Sequence, residues 1–478
     1  MKYRLSMLVA LIVSPALVLA QSSQKPSSFT LDDCIKYALE NSVDIKNATI
    51  DEEIADARVK ETRGIGLPQV DATVGLLHNQ KLPRFFLQKS PSNPFAADLP
   101  GNEGDVYAME NFFQLKSSGN AQVSVSQILF DGSYLVGLRA ANAYRELSVR
   151  STKRTKEETV QNVTKAFYAV LINKDRMELF DNNIARVDSL LKTTEALQRN
   201  GFAESIEVDR IRVTLNNLVA ERDKFYNLQE LGLEVLKFQM NYPMNQSLDV
   251  EGDIASLQVD EAVLQNYELN WDYTQRSDYQ LLEANRNLQE LDVKNKFSTA
   301  LPSLSAFANF GYTTQSPDLG GVFKTNSPTP ATDLIGPDKW YSFSSFGVNL
   351  NIPIFSGLQR SYRLQQAKLN LMKVENSFTS LKSAIDLEVR QAAINYLNAI
   401  KSLESQRENS TLAANIARVT KIKYEQGVGS NLEVIDAEAA LKEAQTNYYN
   451  ALYDALIAKV DLDKAYGKLL PQGETETK

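Results

Sequence analysis

A single histidine, His78, and a single cysteine, Cys34, leave this 478-residue sequence without the commonest means of site chemistry. Metal centres and activated nucleophiles need several such groups converging on one point. Neither a nucleophile–base set nor a phosphate-cradling glycine loop is found. His78 stands where an irregular insert begins and is read as incidental. Cys34 lies at helical spacing in LDDCIKYAL and is read as a small core residue; with no second cysteine there is no intrachain disulfide. Carboxylates are plentiful, 59 Asp and Glu against 51 Lys and Arg, but they are scattered along polar helices with no clear site chemistry. Glu433 and Asp436 open the last helix, where acids are favoured by the helix dipole. The expectation is a protein that is not an enzyme and holds no metal or cofactor. Its acidic balance argues against a nucleic-acid partner.

The helices that carry these carboxylates have a regular apolar register. Val434, Leu441, Tyr448, Ala455 and Leu462 recur every seven residues, and Ala437, Ala444, Ala451, Ala458 and Ala465 form a second row. A heptad register marks a helix packed lengthwise on another, and alanine lets the backbones approach closely. A further row, Leu432, Ala439, Tyr453 and Val460, falls on a different side, so two neighbours are expected, as in a ring of helices. Val163, Val170, Met177, Ile184 and Leu191 repeat the seven-residue spacing earlier in the chain. No proline interrupts residues 134–200, and an unbroken helix there would approach roughly 100 Å.

The chain is internally duplicated. QRNGFAESIEVDRIRVTLNNL around Gly201 echoes YEQGVGSNLEVIDAEAALKEA around Gly427. The period is too long for a solenoid, so whole halves are duplicated, 21–250 and 251–470, followed by a polar tail at 471–478. Each half reads as a helix, two strands around a long loop, and a long helical hairpin whose tip is marked by glycine. The strands fall at 69–78, 120–130, 303–312 and 342–355, where apolar and polar residues alternate. Pro353 implies an edge or a strand end. The intervening inserts, 79–119 and 313–341, are rich in Pro, Gly, Ser and Asn and are read as loops. Thr30 is placed to cap the first helix, with Asp33 in its first turn.

Residues 1–20 have the form of a secretory signal, with Lys2 and Arg4 before the apolar run Leu8–Leu19 and Val18-Leu19-Ala20 as a cleavage site. The mature chain then begins at Gln21. Loss of Lys2 and Arg4 takes the formal charge from −8 to −10. No later stretch approaches the roughly 18 apolar residues of a membrane helix. The four strands have the length of tilted membrane-crossing strands, about 9–11 residues. Since single-chain outer-membrane barrels start at about eight strands, four must close by oligomerisation. A soluble periplasmic coiled-coil scaffold is the alternative; it accounts for the helices and the export signal but not for the strands.

The chain resembles the TolC-type outer-membrane factors, the outer membrane efflux proteins, from FTLDDCIKYALENSVDI to the final helix. The resemblance is carried by the duplicated Leu-Pro strand entries, the strand exits ILFDG and PIFSG, and YEQGVGSNLEVIDAEAALKEAQTNYYNAL. It implies a mixed α and β membrane protein: a homotrimer whose twelve-stranded β-barrel in the outer-membrane lipid continues as a periplasmic α-helical barrel. Such a duct serves a tripartite efflux pump or a type I secretion system, with a periplasmic adaptor and an inner-membrane transporter as partners. The family pattern makes Glu433 and Asp436 the pore constriction, and a threefold ring of carboxylates attracts cations. It also makes Tyr424 a tip lock bonded to Glu207, and it makes the hairpin tips, Gly201, Phe202, Gly427, Val428 and Gly429, the adaptor-docking surface. Gly429 stands where some members carry an arginine that helps the lock.

Overall fold

The computed structural model describes residues 27–111, 113–252, 271–325, 337 and 339–470. The expected leader at 1–20, the mature start at Gln21, the tail at 471–478 and much of the second insert lie outside them. In chain order the first half runs β1 (Ser27–Phe29), α1 (Leu31–Asn41), α2 (Val43–Ile65), β2 (Gln69–His78), β3 (Arg84–Gln88), β4 (Val106–Glu110), β5 (Ser117–Phe130), α3 (Gly132–Arg199), α4 (Ser205–Met240) and β6 (Leu248–Val250). The second runs α5 (Ser277–Ser298), β7 (Ser303–Ser316), β8 (Tyr341–Asn351), α6 (Gln359–Glu425) and α7 (Asn431–Ala465). Two compact units form, and both draw on both sequence repeats. One combines the chain up to Lys46 with Thr155–Trp271 and the chain from Glu388; the other combines Asn47–Arg154 with Asp272–Leu387.

The second of these units holds a four-stranded antiparallel sheet of order β2-β5-β7-β8. Because side chains alternate along a strand, the register sorts most of them by face, although Phe343 stands beside Gly311 on the polar face and Ser344 beside Phe310 on the apolar one. Val70, Val125, Ala308 and Phe346 form one rung, and Ala72, Val123 and Phe310 belong to the next rung on that face. The opposite face carries Asp71, Ser124, Asn309 and Ser345, then Thr73, Gln122 and Gly311. The apolar face is bare: Val74 is 75% and Phe346 91% exposed. Phe307 is out of place on the polar face, but it lies across from Gly347, where a Cβ would come within 2.7 Å of its ring. The outer edges of β2 and β8 have no strand partner among the described residues.

The insert at 79–119, read from sequence as irregular, contains a β-hairpin. β3 and β4 pair from Arg84↔Glu110 to Gln88↔Val106. The chain between them is pinned by Lys89 N donating to Asp105 O at 2.8 Å and Lys89 Nζ to Gly101 O at 2.8 Å. Phe113 packs edge-on against Phe95 and lies near Phe85, so the loop carries a small aromatic cluster. The punctuating Pro, Gly and Asn of this insert masked short strands whose partners are each other. Pairing also lengthens β5 and β7, since Ser117 still faces Ser316. β8 stops at Asn351, short of the expected 355, because Pro353 has no N–H to donate.

The largest of several apolar clusters in the helical unit contains Cys34, Val163, Phe167, Val170, Leu236, Met240, Leu452 and Leu456. A parallel β1–β6 pair, Ser27↔Leu248 to Phe29↔Val250, flanks it. α1 is started by a capping box: Asp33 N donates to Thr30 Oγ1 at 3.3 Å while Thr30 N donates to Asp33 Oδ2 at 3.1 Å. Burial pushes the Cys34 thiol up to about 12, with the Asp33 charge adding to the effect. Thiolate is the reactive form, so Cys34 should resist maleimide or disulfide reagents at pH 8 in the folded chain and react fully once it is unfolded. Prompt labelling of the native protein would contradict this packing.

Most of the two rows counted along α7 is buried, Val434, Leu441, Ala455 and Leu462 on one and Ala437, Ala451 and Ala465 on the other, while Tyr448, Ala444 and Ala458 are half-buried. Beside Ala451, Asn450 is exposed and accepts from the Arg176 guanidinium, which also lies over the Phe225 ring. Ala451→Leu forces added methylenes into a closed seam and should cost about 1–3 kcal/mol. Asn450→Leu should cost less, about 0.5–1.5 kcal/mol for one hydrogen bond at an exposed position. Chemical denaturation of the two variants gives the comparison, and equal losses would mean that Ala451 is not in a tight seam.

Candidate functional site at the helical hairpin tips

Each long helix pair turns on a glycine in the left-handed region, Gly201 at φ +80° and Gly427 at φ +74°. The two turns have the same hydrogen bonds. Gly201 N donates to Gln198 O and Phe202 N to Leu197 O; Gly427 N donates to Tyr424 O and Val428 N to Lys423 O. This is a Schellman ending in both repeats, and a Cβ at either glycine would cost about 1–2 kcal/mol in backbone strain. The turns leave Phe202 81% and Val428 77% exposed. Gly429 is hemmed in: a Cβ there would lie 3.1 Å from Lys423 Cβ and from the Tyr424 backbone nitrogen.

Glu433 sits in the first turn of α7, its backbone N–H donating to Oγ of the cap residue Ser430 at 3.2 Å. Its carboxylate and that of Asp436, one turn on, are exposed and have no hydrogen-bond or ion-pair partner among the described residues. Glu207, near the start of α4, likewise has no side-chain partner there; its backbone carbonyl accepts from Asn431 Nδ2 at 3.3 Å. Three uncompensated carboxylates therefore stand near the starts of α4 and α7, Glu207 and Glu433 in the first turns, where the dipole favours them, and Asp436 one turn on.

Tyr424 and Glu207 are not brought together. The Tyr424 hydroxyl pairs instead with Oγ1 of Thr194 at 3.1 Å, and its ring packs on the cluster of Phe180, Val187, Leu190, Val208, Ile211 and Val434. Thr194 is fully buried, and a buried hydroxyl must find a partner nearby; Tyr424 is the one α6 supplies. Other cross-links between the hairpins also escaped sequence reasoning. Arg186 Nε meets Glu438 Oε2 at 3.3 Å, Asn183 Nδ2 meets Gln445 Oε1 at 3.2 Å, and Lys442 Nζ reaches both Glu221 oxygens at 2.9 Å. Their partners are 221 to 262 residues apart in sequence, with no local signal to reveal them.

Tyr424→Phe removes the bond and strands Thr194, which should cost about 1–3 kcal/mol. A double-mutant cycle with Thr194→Val should return coupling of about 1 kcal/mol, whereas Tyr424→Phe and Glu207→Ala should add independently. Coupling to Glu207 and none to Thr194 would reverse the assignment.

The outer membrane efflux protein family model matches residues 34–223 and 254–468. The chain belongs to the outer membrane efflux protein family. It is accordingly an outer-membrane protein and not an enzyme. Among its relatives are the outer membrane protein TolC of Vibrio cholerae, 22% identical over 471 residues covering 97% of this chain and 96% of that one. The probable efflux pump outer membrane protein TtgC of Pseudomonas putida is 22% identical over 446 residues, covering 91% and 82%. The fold is similar to that of the Campylobacter jejuni CmeC outer membrane channel, with TM-score 0.66, 18% identity and coverage of 99% and 95%. The open state of the Neisseria gonorrhoeae MtrE outer membrane channel gives TM-score 0.67 at 18% identity, with 92% and 89% covered.

Proposed function

We propose that the chain is the outer-membrane exit duct of an efflux pump, assembled as a homotrimer with a twelve-stranded barrel and a helical tunnel. The observation that carries this reading is the sheet: four antiparallel strands with one apolar, exposed face, one polar face and two open edges. Open edges cannot face lipid, because no water is there to satisfy the backbone groups. Three copies pairing β2 of one with β8 of the next would leave none. The names of relatives such as TtgC favour efflux over type I secretion as the duty of the duct.

In this reading Glu433 and Asp436 ring the periplasmic constriction, where six carboxylates draw cations. Gly201, Phe202, Gly427, Val428 and Gly429 are the surface offered to a periplasmic adaptor, which links the duct to an inner-membrane transporter. The exposed Phe202 and Val428 supply the apolar contact. With glycine at 429, where a Cβ would fit only tightly, the tip is held by Tyr424–Thr194 and the Arg186–Glu438 and Lys442–Glu221 links in place of an arginine. Fractionation with outer membranes, heat-modifiable migration and cross-linking to a trimer test the assembly. A folded monomer in the periplasmic fraction, free of detergent, would overturn it.

A further inference from the structure

Where the sheet gives way to helices, positive charge gathers in a chain whose formal net charge is −8. Residues 356–370 hold three cations and no carboxylate. Within about three turns of the helix ends nearest the strands lie Arg63 on α2, Arg139 on α3, Lys294 on α5, and Arg360, Arg363 and Lys368 on α6. None of the six pairs with a carboxylate among the described residues; Arg360 Nε donates to Ser356 Oγ at 3.0 Å and Arg363 to Gln359 Oε1 at 3.5 Å. Close by, Lys60 and Arg145 both pair with Asp56, at 3.2 and 3.0 Å, and Lys296 pairs with Asp292 at 3.2 Å. Carboxylate pairing is thus built in this unit, and the six cations stand outside it.

The same zone exposes large apolar side chains, with Ile354 90%, Phe355 79% and Phe297 61% accessible. Apolar groups and cations follow one order. On α3, Leu135 lies on the sheet side and Arg139 one turn beyond it; on α5, Phe297 lies on the sheet side and Lys294 one turn beyond. In each pair the two share a helix face at i,i+3 or i,i+4. Apolar toward the strands and cationic one turn away is the sequence of environments across the acyl–headgroup boundary of a bilayer. Six cations spread over four helices do not converge on one small anion, whereas a sheet of lipid phosphates meets them all.

We propose that these six residues form a collar that binds the anionic headgroups of the phospholipid leaflet next to the helices. The proposal rests on the reading of the apolar sheet face as lipid-facing. The test uses the full chain reconstituted in bilayers, with fluorescent phosphatidylglycerol and phosphatidylcholine as probes. Wild type should favour phosphatidylglycerol about tenfold, a preference lost near 1 M salt, where screening reaches about 3 Å. Millimolar inorganic phosphate should not displace the lipid. Arg139→Gln with Lys294→Gln and Arg363→Gln should abolish most of the preference. Arg210→Gln with Lys224→Gln and Lys401→Gln, which removes the same charge from the helical unit, should keep it. Insertion of wild type without phosphatidylglycerol preference, displacement by phosphate, or equal loss in both triple variants would overturn the collar alone. Failure to insert in either lipid would overturn the lipid-facing sheet instead. If the collar variant does not fold, the lipid preference and salt response of wild type still decide.

Discussion

Leu456→Ala should lower the unfolding free energy of the chain by about 2–5 kcal/mol, the largest single-site loss expected here. Leu456 is 1% exposed and lies in the largest apolar cluster of the helical unit, alongside Val163, Phe167, Leu236 and Met240. Truncation removes its transfer free energy and leaves a cavity that helices on a heptad register cannot close without shifting the register. Denaturant unfolding of the solubilised protein measures the loss. The informative companion is Leu432→Ala on the same helix. Leu432 is 50% exposed within one chain, yet it belongs to the further apolar row, with Ala439, Tyr453 and Val460, from which the sequence predicts another neighbour. Its truncation should leave the fold of the chain intact and lower the temperature at which the oligomer dissociates. If both variants lose the same intrachain stability, Leu432 has no neighbour from another copy.

Neutralising Glu433 and Asp436 together, as Gln and Asn, should have the largest functional effect. In the proposed trimer the change removes six charges, none of which has a partner among the described residues of its own chain. Two unit charges about 4 Å apart repel by roughly 1 kcal/mol in water, and more in a less polar throat. That repulsion opposes closure, so its removal should not spring the tunnel open. Single-channel recordings should instead show weakened cation selectivity, and block by multivalent cations from the periplasmic side should fall by about tenfold or more, the equivalent of about 1.4 kcal/mol. A channel with unchanged selectivity and block would place both carboxylates away from the pore. Conductance that rises with Tyr424→Phe but not with the double carboxylate change would assign holding to the tip contact and selection to the acids.

Local and periodic information was legible in the sequence. Alternation at Val70, Ala72, Val74 and Leu76 marks a two-faced strand because side chains alternate on a pleat whatever lies beside it. Heptads from Val434 to Leu462 mark a packed helix for the equivalent reason. Gly201 and Gly427 mark turns because only glycine adopts positive φ without strain. The capping of α1 by Thr30 is local as well.

What depends on which distant segments meet was decided only by the tertiary structure. β5 takes β7 as its second neighbour, although 172 residues lie between the two strands, and that choice gathers Val125, Ala308 and Phe346 onto one face. The hairpin inside 79–119 needed β3 and β4 to find each other across a stretch whose composition reads as loop. Tyr424 shows the limit most clearly. Its hydroxyl needs a partner, but several polar groups of the first repeat were possible, and a pattern of residue types does not rank them. The packing of α3 against α6 puts Thr194 at 3.1 Å and leaves the half-buried Glu207 on α4 without the Tyr424 hydroxyl. Hydrogen bonds act over about 3 Å, and only three-dimensional packing resolves position that finely.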